Sequence, residues 1–282
     1  MNIVNILDEI EKVDGEIYER LNPRRAAMKD FFNMGKKISL AAMPLALGSM
    51  FQKAYGQTNP TAVNDVLNFA LTLEYLEYHF YNYAVANAPI PAGAPKNAIT
   101  TIRDHELAHV NLLKGALGTN ARTVLNFDNF DFTAGIFLDV FTNYQTFLKV
   151  ATAFEDTGVR AYKGQAPVLK GNDVLTIALQ IHSVEARHAS HLRQMVAANV
   201  PGASGLKPWI SLGAGGVSND TGISQVDAVY ARENTDIQAG VTITGIATGV
   251  TKAAAVESFD EFLTKAEVVT IANLFLKPAF RL

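Results

Sequence analysis

Two Glu-x-x-His quartets, Glu106 to His109 and Glu185 to His188, are the residues of this chain best placed to do chemistry. A lone Glu precedes each (Glu74 and Glu155), with a Tyr seven residues further on (Tyr81 and Tyr162). On a helix, the i, i+3 spacing puts a carboxylate and an imidazole on one face about a turn apart, so a single helix offers an oxygen and a nitrogen to one ion. Two such helices, joined by two others that each bring one Glu, form the ligand set of a carboxylate-bridged metal pair inside a four-helix bundle. The implied chemistry is that of two divalent metal ions.

The elements that must carry these residues are legible in the apolar pattern. The first runs Val63, Leu67, Ala70, Glu74, Glu77, Tyr81, and the second Ile102, Glu106, His109, Leu113. The third runs Phe137, Phe141, Tyr144, Leu148, Ala151, Glu155, Gly158, Tyr162, and the fourth Val174, Ala178, Ile181, Glu185, His188, Leu192, Met195. Steps alternating three and four make a core-facing helical stripe. Carboxylates buried in such a stripe each carry a desolvation penalty of several kcal/mol unless compensated. Two divalent cations would cancel four of them. The competing reading, that the Glu are solvated and the His are ordinary core imidazoles, fits one quartet better than two quartets in phase with two Glu-x6-Tyr spacings.

Asn59-Pro60 is a helix start, and Pro89, Pro91 and Pro95 end the first helix near Ala88. The second is expected from about Pro95 to Gly118, the third from about Asp131 to Tyr162, and the fourth from about Asn172 to just before Pro201. Between the second and third, Thr119 to Phe130 could reach ~40 Å at ~3.3 Å per residue, enough for a lengthwise crossover. The fold class expected is therefore all-α, with the bundle over residues 57–200.

The run Leu67–Glu77 (LNFALTLEYLE), the segment Asp104–His109 (DHELAH), Glu155 with Tyr162, and Val184–His188 (VEARH) resemble the ferritin-like superfamily of di-iron and di-manganese carboxylate proteins. They are closest to its bacterial ferritin-like domain branch related to desiccation-associated proteins. The resemblance covers residues 60 to 200. It implies that Glu74 and Glu155 are terminal ligands, that Glu106 and Glu185 bridge, that His109 and His188 each cap one metal, and that Tyr81 and Tyr162 hydrogen-bond a ligand across the bundle. Relatives often carry an acid where this chain has His79. Glu74 is the expected ligand because it has the Tyr seven on, and Glu77 is an alternative ligand or a supporting acid. His79 points off the face, and His182 and His191 are expected at the edge of the site or in solvent, with extra ligands as the alternative.

Other features set limits. A formal net charge of −3 gives no reason to propose a nucleic-acid partner. With no cysteine, disulfides, iron–sulfur clusters and a four-Cys electron-transfer module are excluded from these residues. Residues 1–56 read either as a helical extension or as a degenerate twin-arginine export signal. The second reading rests on Arg24-Arg25, Lys29 and the apolar run Ile38 to Phe51, with export to the periplasm as its consequence and a cytoplasmic protein as the alternative. Residues 201–282 change texture: Gly and Ser from 202 to 222, strand or extended-loop character at Val226–Tyr230 and Gly240–Gly245, a helix from Lys252 to Leu263, and another begun by a Thr264-x-x-Glu267 capping box and running to about Leu276. An end cover or a homo-oligomer contact suits this tail.

Three functions are compatible with such a centre. The leading expectation is di-iron redox, oxidation of Fe(II) by O2 or hydrogen peroxide. A dimanganese catalase would use closely similar O and N ligands. The reading of another class is a stress or desiccation-protective protein whose metals only stabilise the bundle.

Overall fold

The computed structural model describes residues 60–282, so the paired arginines and the apolar run of the export-signal reading lie outside the described residues. Four long helices dominate: α1 Pro60–Asn87, α2 Ala94–Leu117, α3 Tyr144–Gln165 and α4 Val174–Asn199. Their starts follow from local chemistry. Pro95 sits in the first turn of α2. The Asn143 side chain accepts from the N–H groups of Gln145 and Thr146 to cap α3. The Asn172 side chain accepts from Val174 N–H at the start of α4.

α1 packs mainly on α2 and α3 mainly on α4. Each pair is joined by a short connection, which makes its members antiparallel. The segment between α2 and α3 runs the length of α1. Asn68 bonds Asn120 and Arg122, Thr72 bonds Arg122, His79 bonds Leu125 O, and Tyr83 stacks on Phe127. From Asn68 to Tyr83, at ~1.5 Å per residue, the segment climbs roughly 22 Å of helix. This is the lengthwise crossover of an all-α ferritin-like bundle, and it makes α2 and α3 parallel.

The third helix starts thirteen residues later than the expected Asp131, at Tyr144. Asp131 instead accepts from both the N–H and the hydroxyl of Thr133, and Ala134 and Gly135 take φ of 47° and 68°, which a right-handed helix does not tolerate. Phe141, which continued the helical stripe in the sequence, packs together with Phe132 on Phe80 of α1 from this turn region.

The tail holds α5 Lys252–Val256, α6 Lys265–Ala272 and a small hairpin, β1 Ile237–Gln238 with β2 Val241–Thr242. Val226–Tyr230, expected as strand or extended loop, lies in a 3-10 turn that buries Val226, Val229 and Tyr230. The helix expected to reach Leu263 stops at Val256, because the chain beyond lies along α3, with Leu263 N–H donating to Arg160 O. The capping box at Thr264 and Glu267 is formed. α6 ends at Ala272 rather than near Leu276, since the following residues pair with the crossover: Asp131 N–H donates to Phe275 O, and Phe130 bridges to Leu276. Bundle and tail belong to one compact unit. Among the described residues no helix is long and apolar enough to cross a membrane.

Candidate metal centre

The stripe on each helix is buried, so its polar members meet in the middle of the bundle. Glu74, Glu106, Glu155 and Glu185 are wholly inaccessible, and Glu77, His109 and His188 are buried beside them. The donors form two overlapping groups, each with all its ligand atoms within 4.8 Å of one another: Glu74, Glu106, His109 and Glu185, and Glu106, Glu155, Glu185 and His188. Glu106 and Glu185 belong to both. Glu74 with His109, and Glu155 with His188, belong to one each.

Each imidazole turns its Nδ1 inward. His109 Nδ1 lies 3.1 Å from Glu74 Oε2, 3.1 Å from Glu106 Oε2 and 3.2 Å from Glu185 Oε1. His188 Nδ1 lies 3.0 Å from Glu106 Oε1 and 3.1 Å from Glu155 Oε2. These two rings do not satisfy the carboxylates. Oε1 of Glu106, Oε1 of Glu155 and both oxygens of Glu185 accept no hydrogen bond. Buried guanidiniums elsewhere on α3 and α4 give no relief, since Arg160 pairs with Glu233 and Arg193 with Asp156 and Asp220.

The electrostatics follow from this crowding. Burial, then the charges of Glu185, Glu155, Glu106 and Glu74, push Glu77 well above the carboxylate range. Burial and the charge of Glu106 do the same to Glu185. Glu106 is pushed by burial and by Glu155 to about 7, although both imidazoles pull it down. At Glu74 burial also raises the pKa, but His109 and the hydrogen bonds with Glu106 and Tyr162 together offset it, and the result lies below the ordinary value. Burial opposes protonation of both imidazoles, yet Glu74 holds His109 far above its ordinary range, and Glu155 and Glu106 hold His188 at about 11. The imidazolium protons thus stand in for positive charge that the donor set demands.

The flanking residues separate into those at the cluster and those away from it. Tyr162 donates its hydroxyl to Glu74 Oε1 across the bundle. The buried Tyr81 hydroxyl faces Glu155 without a well-aligned hydrogen bond, and burial and then Glu155 raise its pKa. Glu77 and Glu185 both press on Gly158: a Cβ there would stand 2.9 Å from Glu185 Oε2 and 3.2 Å from Glu77 Oε1. His79 bonds Leu125 O and His182 bonds Val159 O, while His191 is exposed; none joins either donor group. His105 went unremarked in the sequence beyond its place in the DHELAH segment. Its Nδ1 lies 2.9 Å from His188 Nε2. The available signal was its i, i+4 relation to His109, which puts it near the same face of α2.

A family model described as a ferritin-like domain matches residues 62–198. Protein rds1 of Schizosaccharomyces pombe is 30% identical over 138 residues, covering 46% of this chain and 31% of that protein. The chain therefore spans about a third of the length of the curated relative it matches. No solved structure matches. With the bundle, its lengthwise crossover, a buried Glu on each of the four helices and a buried His on α2 and α4, residues 62–198 form a ferritin-like domain.

Proposed function

We propose that this centre holds two divalent cations and that they are iron engaged in redox chemistry, the oxidation of Fe(II) by O2 or hydrogen peroxide. The observation that carries the reading is the pair of overlapping donor groups sharing Glu106 and Glu185. One group offers Glu74 and His109 to a first ion, and the other offers Glu155 and His188 to a second. Four carboxylates match the charge of two divalent ions, and the oxygens without hydrogen bonds are those such ions would satisfy. Carboxylate oxygen with imidazole nitrogen suits iron or manganese.

When bound, two Fe(II) supply two electrons, enough with two protons to take O2 to hydrogen peroxide, or hydrogen peroxide to two waters. The protein contributes burial, which excludes bulk water, and side chains that change how they hold charge. Tyr162 fixes Glu74 through its hydroxyl. Glu77 lies beside Glu185, and in the metal-free protein burial and then its acidic neighbours push it well above the carboxylate range.

The test is metal content and stoichiometry of protein purified without added metal, followed by anaerobic Fe(II) loading and exposure to O2 or peroxide. Two irons per chain with rapid oxidation support the proposal. Two manganese ions with disproportionation of peroxide would replace it with a catalase. Two metals with no reaction toward either oxidant would leave a metal-stabilised bundle, and no metal after loading would remove the centre altogether.

A further inference from the structure

The two halves of the centre differ behind the imidazoles. His188 has a partner on each nitrogen: Nδ1 faces Glu155 and Glu106, and Nε2 meets His105 Nδ1 at 2.9 Å. The rings of His105 and His188 are 14° from parallel with centroids 5.1 Å apart, the arrangement of two imidazoles joined end to end by an in-plane N–H···N bond. Among the described residues, the hydrogen bonds of His109 run from Nδ1 to Glu74 and Glu106, and nothing bonds its Nε2. The inequality is written in the repeat itself. His105 precedes Glu106, whereas Val184, which has no polar side-chain atom, precedes Glu185.

An imidazole pair needs one N–H and one lone pair. If Nδ1 of His188 gives its lone pair to a cation, the ring proton sits on Nε2. His188 then donates, His105 accepts at Nδ1, and the proton of His105 lies on its outer nitrogen. We propose that His105 is a positioning residue for the cation held by Glu155 and His188. It holds His188 in the Nε2–H tautomer with Nδ1 aimed at the ion, and so makes the two cation sites unequal, with the His188 site the tighter. The proposal rests on the metal reading above. Partners of this kind behind a ligating imidazole typically contribute 10–100-fold in metal affinity.

The experiment is anaerobic titration of the full-length, metal-stripped protein with Fe(II), and separately with Mn(II), followed by calorimetry and by the spectroscopic signal of each bound ion. The expected wild-type result is two steps of different affinity. His105→Ala should weaken the tighter step about 10–100-fold and leave the other within about twofold. His105→Asn, whose Oδ1 can take the place of the accepting Nδ1, should recover most of the loss. In a His188→Ala background, His105→Ala should add nothing. Unchanged affinities in His105→Ala, an equal fall at both steps, or failure of Asn to rescue would overturn the positioning role. Uptake of no cation by the wild type would overturn the metal reading and this proposal with it. His105 is exposed, so these replacements leave the bundle core intact.

Discussion

Both carboxylate oxygens of Glu185 are buried and neither accepts a well-aligned hydrogen bond, although His109 Nδ1 lies 3.2 Å from Oε1, a state that favours the neutral acid or a bound cation. Because Glu185 and Glu106 belong to both donor groups, Glu185→Gln or Glu106→Gln should lose both metals; measured content near two per chain in either variant would remove the shared role. Protons compete for the same atoms, and the sign can be worked out. The raised pKa of His188, about 11 against an ordinary 6.5, gives the metal-free fold stability that is fully present below pH 6.5 and lost as pH rises through about 11. Glu106 moves stability in the same direction with pH: raised from 4.5 to about 7, it costs stability increasingly from pH 4.5 and fully above about 7. A cation takes the place of protons at both, so its affinity should rise with pH. The gap in Tm between metal-loaded and metal-free protein should widen from pH 5 to pH 8, and a flat or narrowing gap in thermal scans would show that protons and cations do not share these donors. At this scale most of the cluster was legible, because ligand types at helical spacing inside apolar stripes announce themselves. His105 was not, because its role depends on a ring on α4, 83 residues away.

Elements place these residues, and α3 does so with least tolerance. A helix interior ordinarily prefers Ala to Gly by about 1 kcal/mol. Gly158 reverses the functional side of that preference, since an added Cβ would meet the carboxylates of Glu185 and Glu77 at 2.9 and 3.2 Å. Those atoms end flexible side chains and can move, but a displaced Glu185 leaves both donor groups. Gly158→Ala should therefore keep Tm within a few degrees of the wild type, or raise it, while metal affinity falls at least tenfold. Loss of stability with metal binding retained would show that the helix, not the carboxylates, gives way. The same helix shows where a sequence pattern misleads. Its donor-bearing half could be read from Leu148 to Tyr162, yet Phe137 and Phe141 continued the apolar rhythm into turns. Aromatic residues bury equally well on a helix or on a crossover pressed against α1, so periodicity alone could not separate the two.

At the scale of the whole molecule, the tail is fastened to the bundle by buried charge as well as by apolar packing, in which Phe275 meets Phe154 edge-on and Leu263, Val268 and Leu276 are buried. Arg160, on α3, is inaccessible; it pairs with Glu233 at 2.9 Å and donates to Glu261 O at 2.9 Å and to the carbonyls of Val229 and Ala231. A second clamp joins Arg193 of α4 to Asp156, which also accepts from Tyr230, and to Asp220 of the tail. Between them the backbone lies so close that a Cβ on Gly164 would stand 2.0 Å from Leu263 O. None of this could be read from the sequence, because a buried ion pair between residues 160 and 233 leaves no local periodicity. Arg160→Met keeps much of the apolar stem but strands Glu233, which burial already pushes to about 8 with the guanidinium present. Breaking one side of a buried pair typically costs about 3–5 kcal/mol, so Tm should fall by several degrees. Limited proteolysis should cut first between residues 201 and 282. Gly164→Ala, which removes no charge, should release the same segment by forcing the Leu263 backbone away. Neither Arg160 nor Gly164 belongs to a donor group, so in both variants a folded bundle should still take up two metals per chain. A tail that is freed without metal loss makes the clamps a device for fastening an appendage, and metal loss in step with tail release would make residues 201–282 part of what holds the centre together.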